Sequence, residues 1–274
     1  MADDRDIAAY YDRGEEQGRL GDWGRLEFLR TRELLARFLP APPATVLDVG
    51  GAAGAYALPL AAEGYAVHLV DPVALHVEQA RAGSAAQPDA PLASVVVGDA
   101  RELPVEDQSA DAVLLLGPPY HLTDAADRTR ALREARRALR PGGVLAAAAV
   151  TRFASTLDGV AHGFLLEPGF EAIVERDLAD GQHRNPDEHP RWFTTAYFHL
   201  PDELEREVAA AGFDVTALLA VEGAVGAAAE ARSLDAWLDD PGKREILLRA
   251  IRRVEAEPSL LGASPHVLAF ATAP

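Results

Sequence analysis

The apolar residues of the chain fall into short runs separated by longer stretches of helical periodicity. Residues 45–49, 66–70, 94–97, 112–116 and 144–150 are runs of four to seven mostly apolar residues. Such runs predict strands buried on both faces. Between them, residues 55–63, 74–85 and 124–140 carry helix formers at helical spacing, and Gly64 and Pro141-Gly142-Gly143 stop two of them. Strand and helix alternating over short connections predict a parallel, doubly wound α/β sheet with helices on both faces. Ligands in such sheets bind beyond the carboxyl ends of the strands.

The pattern divides the chain into four parts. Residues 1–40 predict an N-terminal helical cap, with Leu26, Leu29, Leu34, Leu35, Phe38 and Leu39 on one face. Residues 41–150 form the Rossmann-like core. Residues 151–200 lose the rhythm and predict an irregular lid after strand five, rich in His, Arg and aromatic residues. Residues 201–274 return to the core with a helix starting at Pro201-Asp202-Glu203, a sixth strand over 213–221, a helix over 231–256 and a seventh strand over 266–271. The alanine-rich residues 224–231 read as a loose connection.

Composition narrows the function classes. A net charge of -17 repels phosphate backbones, so nucleic acid is not an expected partner. The six arginines between Asp127 and Arg140 read as a solvated helix face. With no cysteine there is no disulfide framework, thiolate metal site or Cys nucleophile. The lid histidines show no ligand spacing, so no metal is expected. No apolar run reaches the roughly 18 residues of a membrane span. The N-terminus is acidic where a signal peptide would be basic, so a cytoplasmic location is expected. A single lysine, Lys243, among 26 basic residues suggests GC-rich bacterial coding.

The candidate chemistry lies at the strand ends. Asp48-Val49-Gly50-Gly51-Ala52-Ala53-Gly54 joins the first strand to its helix, and small residues there let backbone approach a ligand. A dinucleotide fingerprint needs glycine at 50 and 52 and Gly or Ala at 55; Ala52 fills the position where pyrophosphate must touch backbone. The S-adenosylmethionine (SAM) pattern, an acid followed by G-x-G-x-G, reads Asp48, Gly50, Ala52, Gly54, with only the middle glycine replaced. Asp71, at the end of strand two, can accept both ribose hydroxyls, and Asp99, at the end of strand three, can accept the adenine amino group. Strand four ends in Gly117-Pro118-Pro119-Tyr120-His121-Leu122.

Together the segments VLDVGGAAG, HLVDP, VVGDARELP, DAVLLLGPPYHL and ALRPGGVL resemble the class I SAM-dependent methyltransferases, in the ubiquinone-methylase-like branch. The likeness covers about residues 45–150, and the last two strands fit strands six and seven of that fold. It implies a seven-stranded, mostly parallel sheet and SAM as cofactor, with S-adenosylhomocysteine (SAH) as product. It further implies contacts from Asp48, Gly50, Gly51, Ala52 and Gly54 beside the methionine part, Asp71 and Pro72 at the ribose, Asp99, Ala100 and Arg101 at the adenine, and Leu116 and Gly117 nearby. Tyr11, in the N-terminal cap, is a further cofactor candidate.

Methyl transfer is an in-line displacement at a carbon already activated by positive sulfur, so alignment supplies much of the rate. A base is needed only where the acceptor must lose a proton, a role suited to histidine. His121, with Tyr120 beside it, is the first candidate and His183 in the lid a second. Arg184, Trp192, Phe193 and Tyr197 are candidates for holding a small acceptor with a planar or aromatic part. A peptide or protein acceptor, a non-catalytic SAM-binding regulator and a nicotinamide-dependent oxidoreductase remain alternatives. Neither the acceptor atom nor the oligomeric state is legible.

Overall fold

A computed structural model describes residues 24–230 and 234–274; the expectation for Tyr11, and for most of the N-terminal cap, lies outside the described residues. Seven strands form one sheet in the order β3-β2-β1-β4-β5-β9-β8. They are β1 (Thr45–Val49), β2 (Ala66–Asp71), β3 (Ser94–Val97), β4 (Ala110–Leu115), β5 (Leu139–Val150), β8 (Asp214–Ala220) and β9 (His266–Thr272). All neighbours are parallel except β9, which runs antiparallel to both β5 and β8. All seven predicted strands are present, each within a few residues of its expected bounds except β5, which starts five residues early. The strand order reverses between β1 and β4, which opens a crevice at their carboxyl ends. Because β9 is reversed, its first residue, His266, also lies at that edge, opposite Val150.

One face of the sheet packs on α1 (Arg25–Phe38), α2 (Ala57–Ala62) and α3 (Ala74–Ala86), through Leu34, Leu35, Leu60 and Ala80. The other packs on α5 (Ala125–Ala138) and α8 (Pro201–Ala210), through Leu132, Ala135, Leu204 and Val208. Helix α1 is pinned at its polar edge as well. Arg30 is wholly buried and donates to the carbonyl of Val221 and to Glu33 and Glu255.

The lid differs from the expected irregular excursion. It contains α6 (Ala154–Ala161), α7 (Phe170–Asp180) and a two-stranded ribbon of β6 (Gln182–His183) and β7 (Ala196–Tyr197). These elements are short and are separated by Gly163, Gly169 and Gly181, all at positive φ, so no long periodicity marks them. The alanine-rich segment is helix α9 (Gly223–Glu230), followed by α10 (Leu234–Leu238) and α11 (Pro241–Arg252). The single helix expected over 231–256 is broken where the Asp240 carboxylate caps the N–H groups of Gly242 and Lys243, with Pro241 at the first turn. Among the described residues no helix is long and apolar enough to cross a membrane.

Candidate active site

The turn after β1 is drawn tightly onto its neighbours. Gly50 donates to the carbonyl of Val70 at 2.7 Å, and Gly54 donates to that of Gly51. A methyl group at Gly51 would stand 2.7 Å from Asp48 Oδ2, and one at Gly50 would meet Pro118 at 2.9 Å. Both glycines are therefore required by close approach, Gly50 also by its φ of +70°. Ala52 occupies the left-handed region at φ +47°, where alanine is disfavoured.

Two carboxylates flank this turn. Asp48 lies beneath it, 1% exposed, and its Oδ2 has no hydrogen-bond partner. Burial, with a further push from the charge of Asp71, raises its pKa to about 7. Asp71 lies beside the turn. It accepts hydrogen bonds from the backbone N–H groups of Ala52 and Val73, both at 2.9 Å, and lies 3.0 Å from His76 Nδ1. It therefore holds the turn's own backbone, a role beyond the ribose contact expected of it. Pro72 follows at the surface.

At the end of β3, Asp99 is clamped by Arg101, whose Nη2 approaches to 2.6 Å and whose backbone N–H donates at 2.7 Å. Burial opposes ionisation of Asp99, but the Arg101 bonds outweigh it and hold its carboxyl below the usual range. Arg101 also bridges to Asp127 on α5, and Ala100 is buried in the core.

Leu116 packs on the core at the end of β4, and Gly117 leads into a single helical turn, α4 (Pro118–His121). A methyl group at Gly117 would stand 3.6 Å from the Gly50 carbonyl oxygen, so the two turns lie close together. Tyr120 and His121 follow, with ring centroids 4.7 Å apart. Phe193 of the lid lies 5.7 Å from the His121 ring and 6.3 Å from that of Tyr120. The structure thus brings together three of the predicted acceptor-site residues.

The remaining predicted residues go elsewhere. His183 is 1% exposed; Nδ1 is 2.9 Å from Asp177, Nε2 is 3.3 Å from the Phe193 carbonyl, and the ring stacks on Phe198. With both nitrogens engaged it braces the lid in this structure. Trp192 is buried against Phe170 and His189. Arg184 donates to the carbonyls of His183 and Ala196 within its own ribbon. Tyr197 lies under the guanidinium of Arg128, 3.8 Å from its ring centre, in a network with Arg152, Glu203, His199 and Glu207. In that network burial disfavours ionised Glu207, but His199 and Arg128 outweigh it and draw its pKa down to about 2. Trp192, Arg184 and Tyr197 make their described contacts within and beneath the lid.

Sequence reasoning missed a polar cluster at the same edge of the sheet. Glu222, just past β8, accepts from His266 Nδ1 at 2.7 Å, from Ser264 Oγ at 3.0 Å and from the His266 backbone N–H at 3.2 Å. Two single polar residues 44 positions apart carry no local spacing, and only the reversal of β9 brings them together.

Residues 46–143 match the family model described as a methyltransferase domain. That stretch lies within the Rossmann-like core and is similar to the methyltransferase domain. An uncharacterised methyltransferase of Mycobacterium bovis is 36% identical over 113 residues, 41% of this chain and 42% of the relative. A ubiquinone/menaquinone biosynthesis C-methyltransferase of Acidiphilium cryptum is 36% identical over 115 residues, 41% of this chain and 44% of that one. The match spans less than half the length of these curated relatives. Over the whole chain the fold is that of the class I methyltransferases. A SAM-dependent methyltransferase of Thermotoga maritima, described as a possible histamine N-methyltransferase, covers 97% of this chain and 99% of its own at a TM-score of 0.60 and 20% identity. Geranyl diphosphate C-methyltransferase of Streptomyces coelicolor, solved with Mg2+, geranyl diphosphate and SAH, covers 94% and 84% at 0.56 and 15%.

Proposed function

We propose that the chain is a SAM-dependent methyltransferase acting on a small-molecule acceptor with a planar or aromatic part. The observation that carries the choice of cofactor is the buried carboxyl of Asp48 beneath the glycine turn. Asp71 fits the ribose of either cofactor, but an ionised Asp48 would repel the pyrophosphate that a dinucleotide places against this turn. A cofactor carrying an ammonium and a sulfonium is attracted instead, and the unpartnered Asp48 Oδ2 is a ready acceptor for a cationic donor. The residues fit SAM: the turn 50–54 would hold its methionine part, Asp71 and Pro72 the ribose, and Asp99, Ala100 and Arg101 the adenine, with Leu116 and Gly117 between. When bound, SAM supplies an activated methyl group.

Everything else falls to the chain. The rings of Tyr120, His121 and Phe193 form an aromatic wall at the carboxyl end of β4 that suits a flat acceptor and excludes water. His121 is the group placed to take a proton from an acceptor that must lose one. Calorimetry with SAM, SAH and NAD tests the reading. Binding of SAM and SAH without NAD is expected; NAD binding without either would overturn it. Labelled SAM offered with flat small molecules and with peptides then sorts the acceptor class.

A further inference from the structure

The segment that carries Tyr120 and His121 is short. Helix α4 is a single turn, and beyond its end Leu122 is extended, at φ -88° and ψ 92°. The carbonyls of Leu122 and Thr123 are met by a side chain rather than by a strand. Arg128, in the first turn of α5, donates to both from Nη1, at 3.0 Å and 3.1 Å.

The same guanidinium reaches the body and the lid. Its Nε and Nη2 donate to the two carboxylate oxygens of Glu207 on α8, at 3.0 Å and 2.7 Å. Its carbon lies 3.8 Å from the centre of the Tyr197 ring on β7. Gln182 on β6 adds a longer bond to the Thr123 carbonyl, at 3.3 Å. Phe193 sits in the loop between β6 and β7. One side chain therefore joins three parts: the segment behind Tyr120 and His121, the ribbon that presents Phe193, and a helix packed on the sheet.

Stability alone does not call for an arginine here. Arg128 is 3% exposed, unlike a solvated helix-face residue. Apolar residues of similar volume commonly replace a buried ion pair without loss. What arginine adds is geometry. Its planar fork satisfies carbonyls and a carboxylate at fixed angles while its face stacks on a ring, which lysine cannot match. Glu207, with a pKa of about 2, stays ionised, so the clamp keeps both charges through neutral pH.

We propose that Arg128 is the positioning residue of the acceptor site, fixing Tyr120 and His121 against Phe193. It acts through the backbone of Leu122 and Thr123 and through the ribbon, so its effect falls on alignment of the acceptor and not on binding of SAM. This rests on the reading of the three rings as the acceptor wall.

The test follows the ring protons of His121 by NMR in the whole chain, assigned by their loss in His121→Gln. Ring currents from Tyr120 and Phe193 displace these resonances. In Arg128→Met and Arg128→Lys they should move toward those of an unstacked imidazole, while the His68 resonances of β2 stay in place and SAH affinity is unchanged. Arg128→Lys keeps the charge, so it remains informative where Arg128→Met fails to fold. Arg133 is exposed on the same helix, and Arg133→Met should reproduce the parent spectrum. With the flat acceptor that labelled SAM selects, misalignment on the order of 1 Å should lower kcat/KM by roughly 10²-fold, with the KM for SAM unaltered. Unmoved His121 resonances in both variants would overturn the proposal. So would a shift of His68 in step with His121, which marks general loosening. The parent's own SAH binding tests the cofactor reading separately: its absence would sink that reading and leave the His121 comparison intact. Failure of every flat acceptor would count against the acceptor reading alone.

Discussion

Asp48 and Ala52 show how one turn stores strain for a ligand. Asp48 has its pKa raised to about 7 from 3.8, so the folded chain holds a proton that the unfolded chain has lost. Stability from this group is full below about pH 4, falls as pH rises through the window to about 7, and is flat above it. The upper bound of that loss is about 4 kcal/mol, at about 1.4 kcal/mol per pKa unit. Asp48→Asn should therefore be more stable than the parent by roughly 1–3 kcal/mol at pH 8, with the advantage shrinking toward pH 4. Urea denaturation at the two pH values checks it, and a constant difference would refute it. The same variant should bind SAM tenfold or more weakly in calorimetry, because the cofactor's positive charge loses its partner. Ala52 carries the opposite lesson. At φ +47° it strains the backbone, so Ala52→Gly should relieve about 1 kcal/mol, partly offset by the greater freedom of glycine in the unfolded chain. A melting temperature equal to or slightly above the parent's, with SAH affinity retained, is expected; a clear drop would show that the methyl group is packed usefully.

At the scale of elements, the legible parts of the chain are those whose signal is local. β1 has the bounds its apolar run predicts, because a strand buried on both faces is apolar almost throughout; β3 also keeps its predicted bounds, although it is the half-buried edge strand of the sheet. The glycine turn and Asp71 were legible because close backbone approach demands particular residues at short spacing. The lid was not. Its helices are stabilised by Phe170, Ile173 and Trp192 packing on one another, a contact set drawn from separate segments. Nor did any local pattern show that His183 would lie in that interior while Phe193 faces His121. Arg30 is a similar case: nothing local marks it as buried, yet it ties α1 to Val221 after β8 and Glu255 after α11. Removing it strands Glu255, which is buried and, among the described residues, otherwise paired only with Arg37. Arg30→Ala should cost about 3–5 kcal/mol, read by chemical denaturation. A loss below about 1 kcal/mol, the scale of a surface pair, would mean that the network carries little of the attachment. On the lid, Phe193→Ala should raise KM for the acceptor with little change in SAH affinity, whereas His121→Ala should lower kcat by roughly 10²-fold if a proton is removed.

For the molecule as a whole, the sheet joins these sites into one cooperative unit. The glycine turn extends from β1, which lies between β2 and β4 near the middle of the sheet, and it approaches the end of β4 through Gly50 and Pro118. A ligand seated there contacts both halves of the doubly wound core, so it can bind only where the central strands are paired. Under this condition a ligand stabilises the native state alone, and at one hundred times its Kd it adds about 2.7 kcal/mol. For a chain of this length, roughly 2–4 °C of melting temperature per kcal/mol converts this to a rise of about 5–10 °C. SAH at that excess should produce such a shift in a thermal melt, and NAD at equal concentration none. Asp71→Ala should melt below the parent even without ligand, since the N–H groups of Ala52 and Val73 lose their acceptor. It should also lose most of the SAH-dependent rise. A variant that melts lower yet keeps the full rise would assign Asp71 to the turn alone and remove it from the cofactor's ribose.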